Sequence, residues 1–86
     1  MPELMKNSHH MNASGHRIRQ FRLSRIPTLS QTELANSLIR RGVPMDQTAL
    51  SRVEARQRSV TDLELIAFAK CLKVSVAVLC GERKKR

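Results

Sequence analysis

Two stretches of this chain follow one pattern: Ser30-Gln31-Thr32-Glu33 and Thr61-Asp62-Leu63-Glu64. In each, a hydroxyl residue is followed three positions later by glutamate. This is the capping box, in which the hydroxyl accepts from the third amide and the glutamate reaches back to the amide of the capping residue. Both boxes open onto apolar side chains at helical spacing, Leu34, Ala35 and Leu38 after the first and Leu65, Phe68, Ala69 and Leu72 after the second. A chain punctuated in this way is committed to short helices. No segment alternates with period two for long enough to make a strand.

The remaining punctuation fills in the plan. Ser14 caps a first helix running to Ser24 or Arg25, with Ile18 and Phe21 inward and Leu23 or Ile26 closing the layer. Pro27 ends that region, since proline disfavours the helical state in the residue before it. The second helix continues to Arg40 or Arg41 and stops at Gly42, a residue suited to the left-handed position that follows a helix. Val43-Pro44-Met45 is a connector. Asp46 then caps a third helix from Gln47 to about Ala55, with Leu50 and Val53 inward. A basic loop over 56–60 leads to the fourth helix, which ends near Leu72. Ser75 caps a short fifth helix carrying Val76, Val78 and Leu79, and Gly81 ends it. The expected architecture is all-α, a five-helix domain over 14–81 between a polar arm (1–13) and a basic tail (82–86).

The outer face of the third helix carries Gln47, Thr48, Ser51 and Arg52, small or polar side chains able to hydrogen-bond. The chain has 86 residues, with 16 Lys and Arg against 7 Asp and Glu, a formal charge of +9. That balance favours an anionic partner. Together the two features describe a helix presented to a DNA groove. Aromatic residues are limited to two Phe, with no Tyr or Trp, so the stacking platforms of single-strand binders are missing and duplex DNA is the expected target.

Other classes fall away on similar grounds. No run approaches the ~20 apolar residues of a membrane span, and the N-terminus has no apolar signal core. A cytoplasmic protein is expected. Cys71 and Cys80 form no CxxC pair, and His9, His10 and His16 share no helix face with them, so neither a metal nor a cofactor is expected. No nucleophile–base constellation or glycine-rich phosphate loop points to an enzyme.

Four strings, in order, carry a resemblance. They are Arg17-Ile18-Arg19-x-x-Arg22, Leu29-Ser30-Gln31-x-Glu33-Leu34-Ala35, Leu50-Ser51-Arg52-Val53-Glu54, and Ala69-Lys70-x-Leu72-x-Val74-Ser75-Val76. Over 14–81 the chain resembles the Cro/C1-type (XRE family) helix-turn-helix domains of phage repressors and small bacterial regulators. The resemblance implies a five-helix lambda-repressor-like fold in which the third helix lies in the major groove. It implies that Arg22 and Glu54 form a buried ion pair, and that Gln31 contacts phosphate from a helix N-terminus and braces Gln47. Gln47 matches the donor–acceptor edge of adenine; Thr48 and Ser51 can hydrogen-bond bases; Arg52 can read guanine or hold a phosphate. Arg56 and Arg58 are expected on a flanking phosphate, with Arg40 and Arg41 either a further clamp or solvated surface.

The implied assembly is a homodimer on a palindromic operator, with Val76, Val78 and Leu79 as its interface or as a cap on the monomer core. The alternative is an antitoxin or controller protein whose main role includes a protein partner, a toxin or another regulator. Three departures accompany the resemblance. Ile39 stands where a glycine usually follows the second helix's leucine, lengthening the turn by about five residues. The 23–29 connection is about two residues longer than usual. Arg56 replaces the glycine that closes the third helix, which predicts altered cap geometry there or compensation by a phosphate contact.

Overall fold

The computed structural model describes residues 14–81; the expected arm (1–13) and tail (82–86) lie outside the described residues. Five helices follow one another: α1 (Gly15–Ser24), α2 (Gln31–Arg40), α3 (Gln47–Glu54), α4 (Asp62–Leu72) and α5 (Val76–Leu79). No strand occurs among the described residues, so the all-α expectation holds.

Each helix after the first starts with a side-chain cap. Ser30 Oγ accepts from the Glu33 amide and the Ser30 amide donates to Glu33 Oε1, and Thr61 and Glu64 do the same at α4. Asp46 accepts from the Ala49 amide, and Ser75 from the Val78 amide. Each such cap contributes about 1 kcal/mol relative to alanine. The first helix differs from expectation: Ser14 has helical backbone angles and its side chain makes no capping bond to the first turn.

The ends of α2 and α3 are built alike. At α2 the Gly42 amide donates to the Ile39 carbonyl and the Val43 amide to the Leu38 carbonyl, with Gly42 at φ +87°. At α3 the Arg56 amide donates to Val53 and the Gln57 amide to Arg52. Both are the paired closure that uses a left-handed residue. Arg56 nevertheless occupies that position, at φ 62°. The expected change of cap geometry does not occur; the chain keeps the turn and accepts the strain of a side chain there, about 1–2 kcal/mol. The hydrogen bonds of the Arg56 and Gln57 amides, together with the packing of Val53, hold it in place.

α3 packs on α1 and α2, while α4 packs on α1, α2 and α5. The fully buried side chains are Ile18, Leu34, Leu38, Met45, Leu50, Val53, Phe68 and Leu79. Met45 belongs to the connector, which therefore seals the core between α2 and α3 as well as joining them. Phe21 and Leu29 close the α1 layer. Ile26 does not, being 96% exposed, and Leu23 is also exposed. The 25–30 segment turns the Ile26 side chain outward while Leu29 inserts beside the core.

Of the two expected uses of Val76, Val78 and Leu79, dimer interface or cap on the monomer core, the packing shows the second for two of them. Leu79 is wholly buried and Val76 packs against the same core, so the apolar face of α5 caps the monomer. Val78 is half-buried. Cys71 packs partly against the core, as expected of a small apolar residue, and both cysteines are free.

Candidate nucleic-acid interface

The spacing of α3 divides it into two faces. Leu50, Val53 and Glu54 are buried, while Gln47, Thr48, Ser51, Arg52 and Ala55 are exposed. Positions i, i+1, i+4, i+5 and i+8 form one continuous stripe on a 3.6-residue helix. All four expected base-reading residues thus share one open surface.

Beneath that stripe runs a chain of side-chain hydrogen bonds. Arg22 on α1 donates from Nε to Glu54 Oε2 at 2.7 Å and from Nη2 to Glu54 Oε1 at 2.8 Å. Its Nη1 donates to the Leu29 carbonyl at 2.9 Å. Glu54 Oε1 also accepts from Gln31 Nε2 at 3.1 Å, and Gln31 Oε1 accepts from Gln47 Nε2 at 2.7 Å. The Arg22 and Glu54 side chains are only 9% and 3% exposed. The implied ion pair and the implied Gln31–Gln47 brace are therefore both present, and they belong to one network.

The polarity of this network is fixed from its buried end. Arginine can only donate and a carboxylate only accepts. Gln31 must then turn its NH2 to Glu54 and its oxygen outward. Gln47 must in turn give an N–H to that oxygen. One N–H and the Oε1 of Gln47 are left, held at the first turn of an exposed helix. This is the donor–acceptor pair that matches adenine N7 and N6 in the major groove. The amide orientation of Gln47 thus follows from a buried cation, and its bond to Gln31 restricts its rotamer freedom.

The Gln31–Gln47 bond also places the N-termini of α2 and α3 side by side. The connector after α2 therefore runs back along a helix of ten residues, ~15 Å long. This gives a physical use for the long turn: a shorter one would not return Gln47 to Gln31 after the extension through Arg40. The two N-termini favour anions through their free amides, but Glu33 and Asp46 place carboxylates there. The arginines after α3 lie at the opposite end of that helix, about 12 Å along its axis.

Those arginines differ. Arg56 is exposed, and no partner among the described residues holds its guanidinium. Arg58 is engaged: Nη1 and Nη2 donate to Glu64 Oε1 and Oε2 at 3.1 and 3.0 Å, and Nη1 also donates to the Ser59 carbonyl. The bond from Arg58 holds the Glu64 carboxyl below its usual range, against the opposing effect of burial, and Glu64 in turn raises Arg58. Arg58 is thus first a tie between the basic loop and α4, with its charge already partly matched. The capping-box pattern hides this pair in the sequence, because one Glu64 carboxylate serves both the Thr61 amide and Arg58.

Arg40 and Arg41 lie at the other end of α2 from Gln31, about 13 Å along its axis. Arg40 donates to Ser37 Oγ, and both arginines line a cleft of about 360 Å³ with Lys70 and Lys73. They are not brought to the Gln31–Gln47 site. Two further ties were not visible in the sequence. Arg25 donates to the Cys71 carbonyl at 3.2 Å, and the Arg17 guanidinium lies against Gly81. The first ties the residue after α1 to α4, and the second brings α1 against the residue that follows α5 by two.

No group of three or more His, Cys, Asp or Glu that could hold a metal occurs among the described residues. No helix among them is long and apolar enough to cross a membrane. Comparison with protein-family models, with curated proteins and with solved structures gives no match.

Proposed function

We propose that this protein binds duplex DNA in a sequence-specific manner as a small transcriptional regulator. The observation that carries the reading is the Arg22–Glu54–Gln31–Gln47 network, which fixes a bidentate amide on an exposed helical stripe. A surface glutamine needs no such support for solubility. The excess of positive charge supplies the sequence-independent part of the affinity, and Thr48, Ser51 and Arg52 add contacts along the same stripe.

A helix of this length reads few base pairs, so a two-fold pair of chains on a palindrome is the natural assembly, with half-sites about 34 Å apart. The test is selection from a random duplex library at two salt concentrations. The reading expects a palindromic motif that survives the higher salt and contains adenine at a fixed place in each half-site. Binding that vanishes with salt and selects no motif would leave only generic basic attraction and overturn it.

A further inference from the structure

The apolar face of α5 is used by the monomer, yet α4 carries apolar side chains left exposed by the described residues. Leu63 is 75% exposed and Ile66 42% exposed. They flank a groove of about 260 Å³ whose other wall includes Arg41 and Val43. Leu63 and Ile66 are three positions apart on one helix face, which is the spacing of an apolar contact stripe. Single exposed apolar residues are ordinary; two adjoining ones beside a groove mark a contact surface.

The charges on the same face indicate what covers it. Asp62 and Lys70 lie four residues to either side of Ile66, so all three occupy one stripe. Both charged residues are exposed, and neither has an ion-pair partner among the described residues. The stripe is acidic at its N-terminal end and basic at its C-terminal end, where Arg41 adds a second cation. Such a stripe is complementary to itself when reversed. Two copies of α4 laid antiparallel about a two-fold axis at Ile66 place each Asp62 opposite the partner's Lys70. Ile66 then meets Ile66 at the axis, and Leu63 covers the groove beside it.

We propose that this face of α4 is where two copies of the chain pair. An isologous contact requires a patch that matches its own image, and the order Asp62, Ile66, Lys70 meets that requirement. A different acidic protein would leave Asp62 facing like charge. The inference deepens the reading of a two-fold DNA binder, but it is tested without DNA, so that failure of one is distinguishable from failure of the other.

The experiment is sedimentation equilibrium of the full chain without nucleic acid, from micromolar to about 1 mM. With only Leu63 and Ile66 as apolar anchors on each copy, a weak monomer–dimer equilibrium is expected. Ile66→Glu should raise the dimer dissociation constant at least about tenfold, since it places two like charges at the axis. Asp62→Lys should raise it several-fold, and Asp62→Lys with Lys70→Asp should restore it. All three positions are exposed, and melting curves by circular dichroism verify that the variants fold. A monomer throughout the range would overturn the proposal. So would a dimer indifferent to Ile66→Glu, or one that the double exchange fails to restore.

Discussion

Glu54 is the residue on which fold and site both turn, and its replacement can be worked out from its contacts. Its carboxylate accepts two bonds from Arg22 and one from Gln31. Glu54→Ala removes all three and leaves the buried Arg22 guanidinium with the Leu29 carbonyl alone. An uncompensated buried charge of this kind costs about 3–5 kcal/mol. Small domains have only about 5–15 kcal/mol in total, so this variant should be close to unfolding. Glu54→Gln keeps the shape and one acceptor oxygen but turns an NH2 toward Arg22 or Gln31; a loss of about 1–3 kcal/mol is expected. Replacing both partners by apolar residues, Arg22→Met with Glu54→Leu, should cost much less than the sum of the single changes, because no charge is left buried. Urea denaturation followed by far-UV circular dichroism gives all four corners of the cycle. A cost below about 1 kcal/mol for Glu54→Ala, or simple additivity in the double variant, would refute the claim that this pair is coupled and buried.

Three more expectations concern the scaffold. Arg56→Gly relieves a left-handed backbone at φ 62° and should stabilise by roughly 0.5–1 kcal/mol after allowing for the chain entropy of glycine; the same change should lower the salt slope of DNA binding by about one. A loss of stability would show that the Arg56 side chain holds the cap. Met45→Ala should destabilise by about 2–5 kcal/mol in thermal or urea melts, as for other wholly buried side chains, whereas a near-neutral result would mean the connector can collapse onto the core. The Glu64 carboxyl is held below its ordinary value when folded, by the bond from Arg58, so its contribution is present in full above that ordinary value and fades as pH falls through the lowered one. Acid titration of stability should therefore show a small extra loss below about pH 4.5 that is missing in Arg58→Ala, worth at most about 1 kcal/mol for so exposed a pair. Equal acid profiles would deny the pair any energetic role.

The helices were legible because their starts are chemical. Ser30, Asp46, Thr61 and Ser75 cap where they were expected to, and Gly42 ends α2 in the left-handed turn its lack of a side chain suits. Readings failed where tertiary packing overrode local pattern. Ile26 is apolar but faces solvent, while Met45, in what read as a mere connector, is wholly buried. Arg56 keeps a glycine's conformation because the bonds of the Arg56 and Gln57 amides fix the turn. At the site, the stripe on α3 follows from helical spacing alone. The ion pair and glutamine brace came from resemblance to a family, since no local pattern links residues 32 positions apart. Arg58 was expected to be free for phosphate, but its tie to Glu64 depends on how the loop folds back over α4.

In the proposed complex with DNA, Gln47 reads a base because Gln31 holds its amide in one orientation. The most direct measurement compares base preference, position by position, for the native protein and Gln31→Ala on the selected operator and on its single-base variants. The account predicts that Gln31→Ala flattens the preference for adenine at one position in each half-site, by about 1–3 kcal/mol, while preference elsewhere is kept. Uniform weakening on every sequence, with the adenine preference intact, would contradict it and leave Gln31 a phosphate contact only.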